Sequence, residues 1–228
     1  GKLYFAKLKV RQHIILRIFT LGFPSFIMEF SIGIITFVYN FAIVQYGYGE
    51  IGLAAYLVIG YLMLIILTVF LGMAEGLQPV FSRFAGSGEV SRNRDMRRFA
   101  AKIFLTIGIL CYLFILLFSS YFFSIFNPQD PELIDFMTSK SIPYFCGFFL
   151  AGYNILMISY WQSTQRTTKA FLISFSRSLI FPPILIFILP VIFGGKVIWL
   201  CHSIGEGLTA CVVIVLLFRN KKQERIER

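Results

Sequence analysis

Four ionisable side chains lie inside long apolar runs of this sequence: Glu29, Glu75, Arg177 and Glu206. An ionised group at the centre of a membrane helix costs about 2.5–3.5 kcal/mol, so such residues face a bundle interior or a water-filled cavity. A carboxyl group placed there can take up a proton or a cation and release it again. These residue types predict ion coupling rather than covalent catalysis.

Two of the acids are predicted to lie at similar depth. A helix rises about 1.5 Å per residue, which places Glu29 about 18 Å from Arg17 and Glu206 about 15 Å from Lys196. Both positions fall near the middle of a hydrocarbon core roughly 30 Å thick. Glu29 and Glu206 are therefore the predicted ion-coupling candidates.

The expected environment of Glu29 is apolar and buried, because Phe26, Met28 and Phe30 surround it in the sequence. As a coupling site, its carboxyl group would alternate between neutral and charged forms as a cavity opens to either side. The alternative is a permanently protonated acid that hydrogen-bonds a neighbouring helix. The same two interpretations apply to Glu206.

Three further residues are predicted to serve packing or gating. Glu75 lies only about 12 Å along its helix from Arg83, nearer the cytoplasmic side, where it could contact Arg83 or Arg177. Pro79 should kink or end the same helix. Arg177 either extends to the cytoplasmic face or pairs with an acid.

Several uncharged polar residues within the apolar runs could line a cavity. There they would bind substrate or water, and the alternative is hydrogen bonding between helices. The candidates are Asn40, Gln78, Asn154 and Gln162.

The sequence shows no nucleotide-binding Gly-x-x-x-x-Gly-Lys-Ser/Thr motif, no catalytic triad and no cluster with metal-ligand spacing. The four cysteines are interpreted as small packing residues, and neither His13 nor His202 is assigned a metal role. The chain is therefore predicted not to be an enzyme. No cofactor is predicted beyond a coupling proton or cation.

Composition identifies the elements that must position these residues. The 228 residues are 57% hydrophobic and 14% charged, with mean hydropathy +0.78, whereas soluble domains are roughly 45–50% apolar and 25% charged. Apolar runs predict an all-α membrane protein with six transmembrane helices, at about 18–45, 51–83, 99–123, 135–161, 169–190 and 197–218.

The net charge of +10 does not indicate nucleic-acid binding. Nineteen of the 21 Lys and Arg residues fall at one set of alternating segment ends, which is the positive-inside pattern. It predicts a multi-pass plasma-membrane protein with both ends cytoplasmic and in contact with anionic lipid. Residues 1–17 are predicted as an amphipathic linker, 18–218 as the helical lobe, 83–102 as a basic loop and 219–228 as a basic tail.

Four motifs in this order resemble the multidrug and toxic compound extrusion (MATE) transporters. Their positions resemble parts of helices seven and eight, the loop after helix ten, and helix twelve. The resemblance covers the C-terminal half of a family member. The motifs are Leu21-Gly-x-Pro24-x-x-x-x-Glu29, Gly76-Leu-Gln-Pro79, Gln162-Ser-x-x-Arg166, and Trp199 with Glu206 seven residues later.

The resemblance implies a V-shaped antiporter of two six-helix lobes, in which H⁺ or Na⁺ influx drives export of amphipathic, often cationic compounds. It also implies a cation-site role for Glu29. Family branches with a Na⁺ site carry a second acid in helix ten, where this sequence offers Asn154. The implied partner is an N-terminal lobe. We expect it in the same polypeptide, since the start lacks methionine and resembles the interlobe linker; the alternative is pairing of two such chains.

Other functions stay open at this stage. A flippase for lipid-linked oligosaccharides, from the same broader superfamily, would need more cavity cations than Arg177. The remaining alternatives are an ion channel, a membrane subunit without transport of its own, and a truncated product without activity.

Overall fold

The computed structural model describes residues 12–126 and 129–226, with side chains from 15 to 219 except those of 24, 25 and 28. These ranges contain α-helices and short helical turns, and no strand. The helices are α1 (Gln12–Gln45), α2 (Gly49–Gly86), α3 (Val90–Phe126), α4 (Pro131–Phe145), α5 (Phe148–Ser163), α6 (Thr167–Phe175), α7 (Phe181–Phe193) and α8 (Ile198–Ile226). A π-helical turn (Ser176–Ile180) joins α6 to α7, and a 3₁₀ turn (Gly195–Val197) precedes α8.

The described residues contain four to five stretches that could cross a membrane. Four stretches are long and apolar enough to cross a membrane: α2, α3, Thr167–Phe193 and Gly195–Arg219. The pair α4 and α5 forms a fifth span, bent by 47°. Within the described residues, helix α1 adds a shorter apolar stretch, Glu29–Gln45. The predicted all-α membrane bundle is confirmed.

Helix α5 lies at the centre of the bundle, against α2, α3, α6 and α8. Large aromatic side chains fill the space around it, and Phe70 stacks on Phe104 with ring centroids 5.8 Å apart. Gly152 of α5 has no side chain to collide with Phe70, whose ring atoms would lie 2.7 Å from an added Cβ. Such small residues let membrane helices approach closely. This packing fixes α5 as the wall behind the polar residues described below.

The predicted fourth span, at about 135–161, is bent rather than straight. The chain breaks at Cys146 and Gly147, between α4 and α5. Pro143 removes one backbone donor within α4, and Ser203 of α8 takes the place of the missing helical bonds. Its Oγ accepts from the Gly147 N–H at 2.8 Å and lies 2.8 Å from the Tyr144 carbonyl oxygen, to which it can donate.

The prediction of a basic loop at 83–102 is wrong. Helices α2 and α3 extend into this region and leave only residues 87–89 between them. Arginine is a good helix former, so its charge does not end a helix. Gly88 makes the turn, with a φ of +73° that glycine adopts without steric cost.

The two predicted terminal segments lie partly outside the described residues. Of the amphipathic linker at 1–17, residues 1–11 are not described, and residues 12–17 form the first turns of α1. Of the basic tail, residues 219–226 continue α8.

Candidate functional site

The π-helical turn Ser176–Ile180 positions a largely buried positive charge. Pro182 and Pro183 follow the turn, and a proline neither donates a backbone hydrogen bond nor tolerates the carbonyl group four residues earlier. The N–H of Phe181 instead reaches back five residues to the carbonyl oxygen of Ser176. Such turns often mark functional sites, and this one carries Arg177.

Arg177 forms a two-pronged ion pair with Glu206 of α8. Its Nε lies 2.8 Å from Oε1 and 3.1 Å from Oε2, and its Nη2 lies 2.7 Å from Oε1. Only 10% of the Arg177 side chain and 3% of the Glu206 side chain are exposed. Arg177 therefore pairs with an acid instead of extending to the cytoplasmic face, and its partner is Glu206 rather than Glu75.

Asn154 of α5 completes this cluster. Its Nδ2 donates to Glu206 Oε2 at 2.8 Å and to the main-chain oxygen of Glu206 at 3.0 Å. Both carboxylate oxygens of Glu206 are thus bound by protein donors. The cluster is a charge pair that three elements hold in place.

A cavity of about 130 Å³ opens beside the ion pair. It lies between α1, α2, α5, α7, α8 and the π-helical turn. Its charged lining consists of Glu29, Arg177 and Glu206, so the two predicted coupling acids share one cavity. The volume suffices for several waters or one small ligand group, but it is well below the roughly 300–1,000 Å³ of a drug-sized pocket.

Glu29 lies at this cavity with an exposed side chain. The expectation that Glu29 is buried among aromatic neighbours is wrong, because Phe26 and Phe30 are themselves 55% and 56% exposed. Residues three and four apart share a helix face, and Glu29 shares this one with Phe26. Glu29 is thus the accessible acid of the cavity, and Glu206 the enclosed one.

The other predicted site residues lie outside the cavity lining. Glu75 and Pro79 are exposed on α2, while Asn40 and Gln78 are half-buried on α1 and α2. Gln162, at the end of α5, donates from Nε2 to the carbonyl oxygen of Leu21 at 3.2 Å, a contact between helices.

Sequence reasoning missed His202. This residue lines the cavity one helical turn before Glu206, and it is only 8% exposed. Its ring stacks on Tyr144 with centroids 4.9 Å apart and planes 12° apart. Within the described residues its Nε2 is buried without a hydrogen-bond partner. The sequence does hint at this position, because His202 lies four residues before Glu206 and residues four apart share a helix face.

The cavity places one accessible carboxylate beside an ion pair. Within the described part of the chain, no group of three or more His, Cys, Asp or Glu side chains could hold a metal ion. One accessible carboxylate beside a neutralised pair can bind a proton or a monovalent cation.

The family model of MatE matches residues 24–188. Among curated proteins, the chain is 22% identical over 212 residues to "Multidrug export protein MepA" of Staphylococcus saprophyticus, covering 92% of this chain and 46% of the relative. It is 24% identical over 218 residues to the protein of the same name in Staphylococcus aureus, covering 93% and 47%. The chain thus spans about half the length of these relatives.

Solved structures share the fold. An outward-facing multidrug resistance MATE family transporter superposes with a TM-score of 0.85 at 19% identity, covering 98% of this chain and 50% of that one. The MATE multidrug transporter DinF-BH gives a TM-score of 0.81 at 26% identity, covering 96% and 49%. The family match over most of the chain, together with this fold, establishes that the chain belongs to the MATE family of multi-pass membrane transporters.

Proposed function

We propose that this chain forms one lobe of a cation-coupled exporter of amphipathic cationic drugs, with Glu29 as the coupling carboxylate. The proposal rests on one observation: the two acids of the cavity differ in whether their carboxylate oxygens are already bound by the protein. Glu29 is exposed to the cavity region, whereas Arg177 and Asn154 already bind both oxygens of Glu206.

The bound state of Glu206 argues against its use as an ion site. To accept a cation, Glu206 would have to release Arg177, and breaking a buried ion pair leaves an uncompensated charge that costs roughly 3–5 kcal/mol. Glu29 carries no such penalty. The pair of candidates from the sequence is thereby reduced to one, and Glu206 becomes the partner that keeps Arg177 neutralised.

The drug itself is proposed to bind between this lobe and a second one. The cavity of about 130 Å³ is too small for a whole drug molecule, and the relatives are about twice as long and are named multidrug export proteins. Transporters built of two repeats bind substrate between them and alternate access by rocking. The basic segment ends support a plasma-membrane location with both chain ends cytoplasmic.

The flippase alternative is not favoured. A lipid-linked oligosaccharide carries phosphate groups, which need free cations in the cavity. Arg177, the cation of the cavity lining, is engaged by Glu206.

The test is ethidium efflux from cells that express the transporter with both lobes. Glu29→Gln should abolish efflux, while the control Glu132→Gln, an exposed acid at the start of α4, should not. Unchanged efflux in Glu29→Gln refutes the coupling role. Sodium replacement and a proton uncoupler, applied separately to the parent protein, then identify the ion.

A further inference from the structure

Two threonines of the cavity lining offer hydrogen-bond acceptors. Thr36 Oγ1 donates its hydrogen to the carbonyl oxygen of Ile32 at 2.8 Å, and Thr68 Oγ1 donates to that of Leu64 at 2.8 Å. A hydroxyl oxygen that has donated its hydrogen keeps two lone pairs. Both threonines therefore still offer acceptors to a ligand.

His202, which also lines the cavity, offers a further acceptor. A neutral imidazole with its hydrogen on Nδ1 presents a lone pair at Nε2, and Nε2 is buried without a partner among the described residues. A buried polar atom of this kind is normally satisfied by protein or by an ordered molecule. The stacking on Tyr144 fixes the ring plane.

The strongest donor of the lining is largely engaged within the protein. Arg177 directs its Nε and Nη2 to Glu206, and Asn154 directs its Nδ2 to the same carboxylate. With Glu29 supplying a negative charge, the cavity matches a ligand that carries positive charge and several N–H donors.

We propose that this cavity is a head-group subsite for substrates that end in a protonated primary amine. Their ammonium group binds Glu29 through one N–H and donates the other two to His202 Nε2 and to a threonine hydroxyl. This inference rests on the proposed function, because the ammonium group then competes with the coupling ion for Glu29.

The size and the apolar lining set the limits of the ligand. A volume of about 130 Å³ admits an amino group and a short alkyl stem, and Ile35, Leu67 and Leu71 supply apolar contacts for that stem. A quaternary ammonium group has no N–H donor and leaves Nε2 of His202 unsatisfied. The subsite therefore discriminates by donors rather than by charge.

The experiment compares two competitors of ethidium efflux, 4-phenylbutylammonium and 4-phenylbutyltrimethylammonium, in cells with the complete transporter. The trimethyl compound buries more carbon and should inhibit at least as well if donors are irrelevant. We expect the primary amine to inhibit at a concentration about tenfold lower, as for one charge-assisted hydrogen bond. Equal inhibition, or preference for the trimethyl compound, overturns the proposal.

Two variants assign the preference to His202. In His202→Phe the ring stacking on Tyr144 is kept but the acceptor is lost, so the ratio of the two inhibitory concentrations should fall well below that of the parent protein. In His202→Gln the side-chain oxygen restores an acceptor, and part of the preference should return. A tenfold ratio that persists in both variants excludes His202, and the ratio in the parent protein stands even if a variant does not fold.

Failure of the subsite can be told apart from failure of the proposed function. If Glu29→Gln abolishes ethidium efflux and the parent shows no preference between the amines, only the subsite is wrong. If Glu29→Gln leaves efflux intact, the coupling role of Glu29 is wrong and the ammonium site loses its charge partner.

Discussion

Removal of Arg177 should be far more damaging than removal of the whole ion pair. In Arg177→Met, Glu206 keeps only the hydrogen bond from Asn154 and stays almost fully enclosed. Breaking a buried pair in this way costs roughly 3–5 kcal/mol, whereas replacing both partners by apolar residues is often neutral. For a chain of this size, that cost corresponds to a melting temperature lower by about 6–20 °C.

The assay is thermal stability measured by size-exclusion chromatography of the heated, detergent-solubilised protein. Arg177→Met and Glu206→Met are each expected to lose this stability, and the double variant should recover to within about 4 °C of the parent. A small residual loss is expected because Asn154 loses one acceptor. It keeps the other, the main-chain oxygen of residue 206, at 3.0 Å.

Two results would refute this reasoning. If Arg177→Met melts at the temperature of the parent, the pair does not hold the bundle together. If the losses of the two single variants simply add in the double variant, the residues do not interact, since coupled partners deviate from additivity.

Two more predictions test the helix break and the turn after α2. Gly147→Ala should prevent assembly of the bundle, because the added Cβ would lie 2.7 Å from the Ser203 Cα. The control Gly205→Ala, whose Cβ would have its nearest atom at 3.6 Å, should keep the parent's melting temperature. Equal elution profiles of the two variants after heating would contradict this prediction. At the turn, the hydrogen bond from Ser87 lowers the pKa of Glu89. This hydrogen bond therefore stabilises the fold above the ordinary pKa of a glutamate, and the stabilisation is lost as the pH falls through the lowered pKa. Ser87→Ala should therefore lower the melting temperature slightly at about pH 7 and less at about pH 3.5, and a pH-independent difference would exclude this cause.

The apolar runs of the sequence predicted most of the membrane segments, because the hydropathy of a segment can be read from its residues without knowing what they contact. Local deviations were harder to predict. Pro143 and Gly147 are visible in the sequence, but whether a helix bends there depends on a partner such as Ser203, 56 residues further on than Gly147. Likewise, a run of arginines does not reveal that its helix continues through them, as α3 does from Val90.

The candidate site shows the same limit. The sequence identified Glu29, Arg177 and Glu206 as unusual because charge inside an apolar run is costly. It did not identify which acid pairs with Arg177, since the partners are 29 residues apart on separate segments. His202 escaped notice because an isolated histidine becomes informative only when its packing and its missing partner are known.

Helix α8 has a consequence for the assembly of the lobe during synthesis. It supplies Glu206 to the guanidinium of Arg177 and Ser203 to the break after α4, and it is the last of the described helices to leave the ribosome. Until it inserts, the preceding segments hold an unpaired cation and unsatisfied backbone groups in lipid. The lobe therefore cannot mature segment by segment, and arrival of α8 is the step at which the earlier helices become a stable unit.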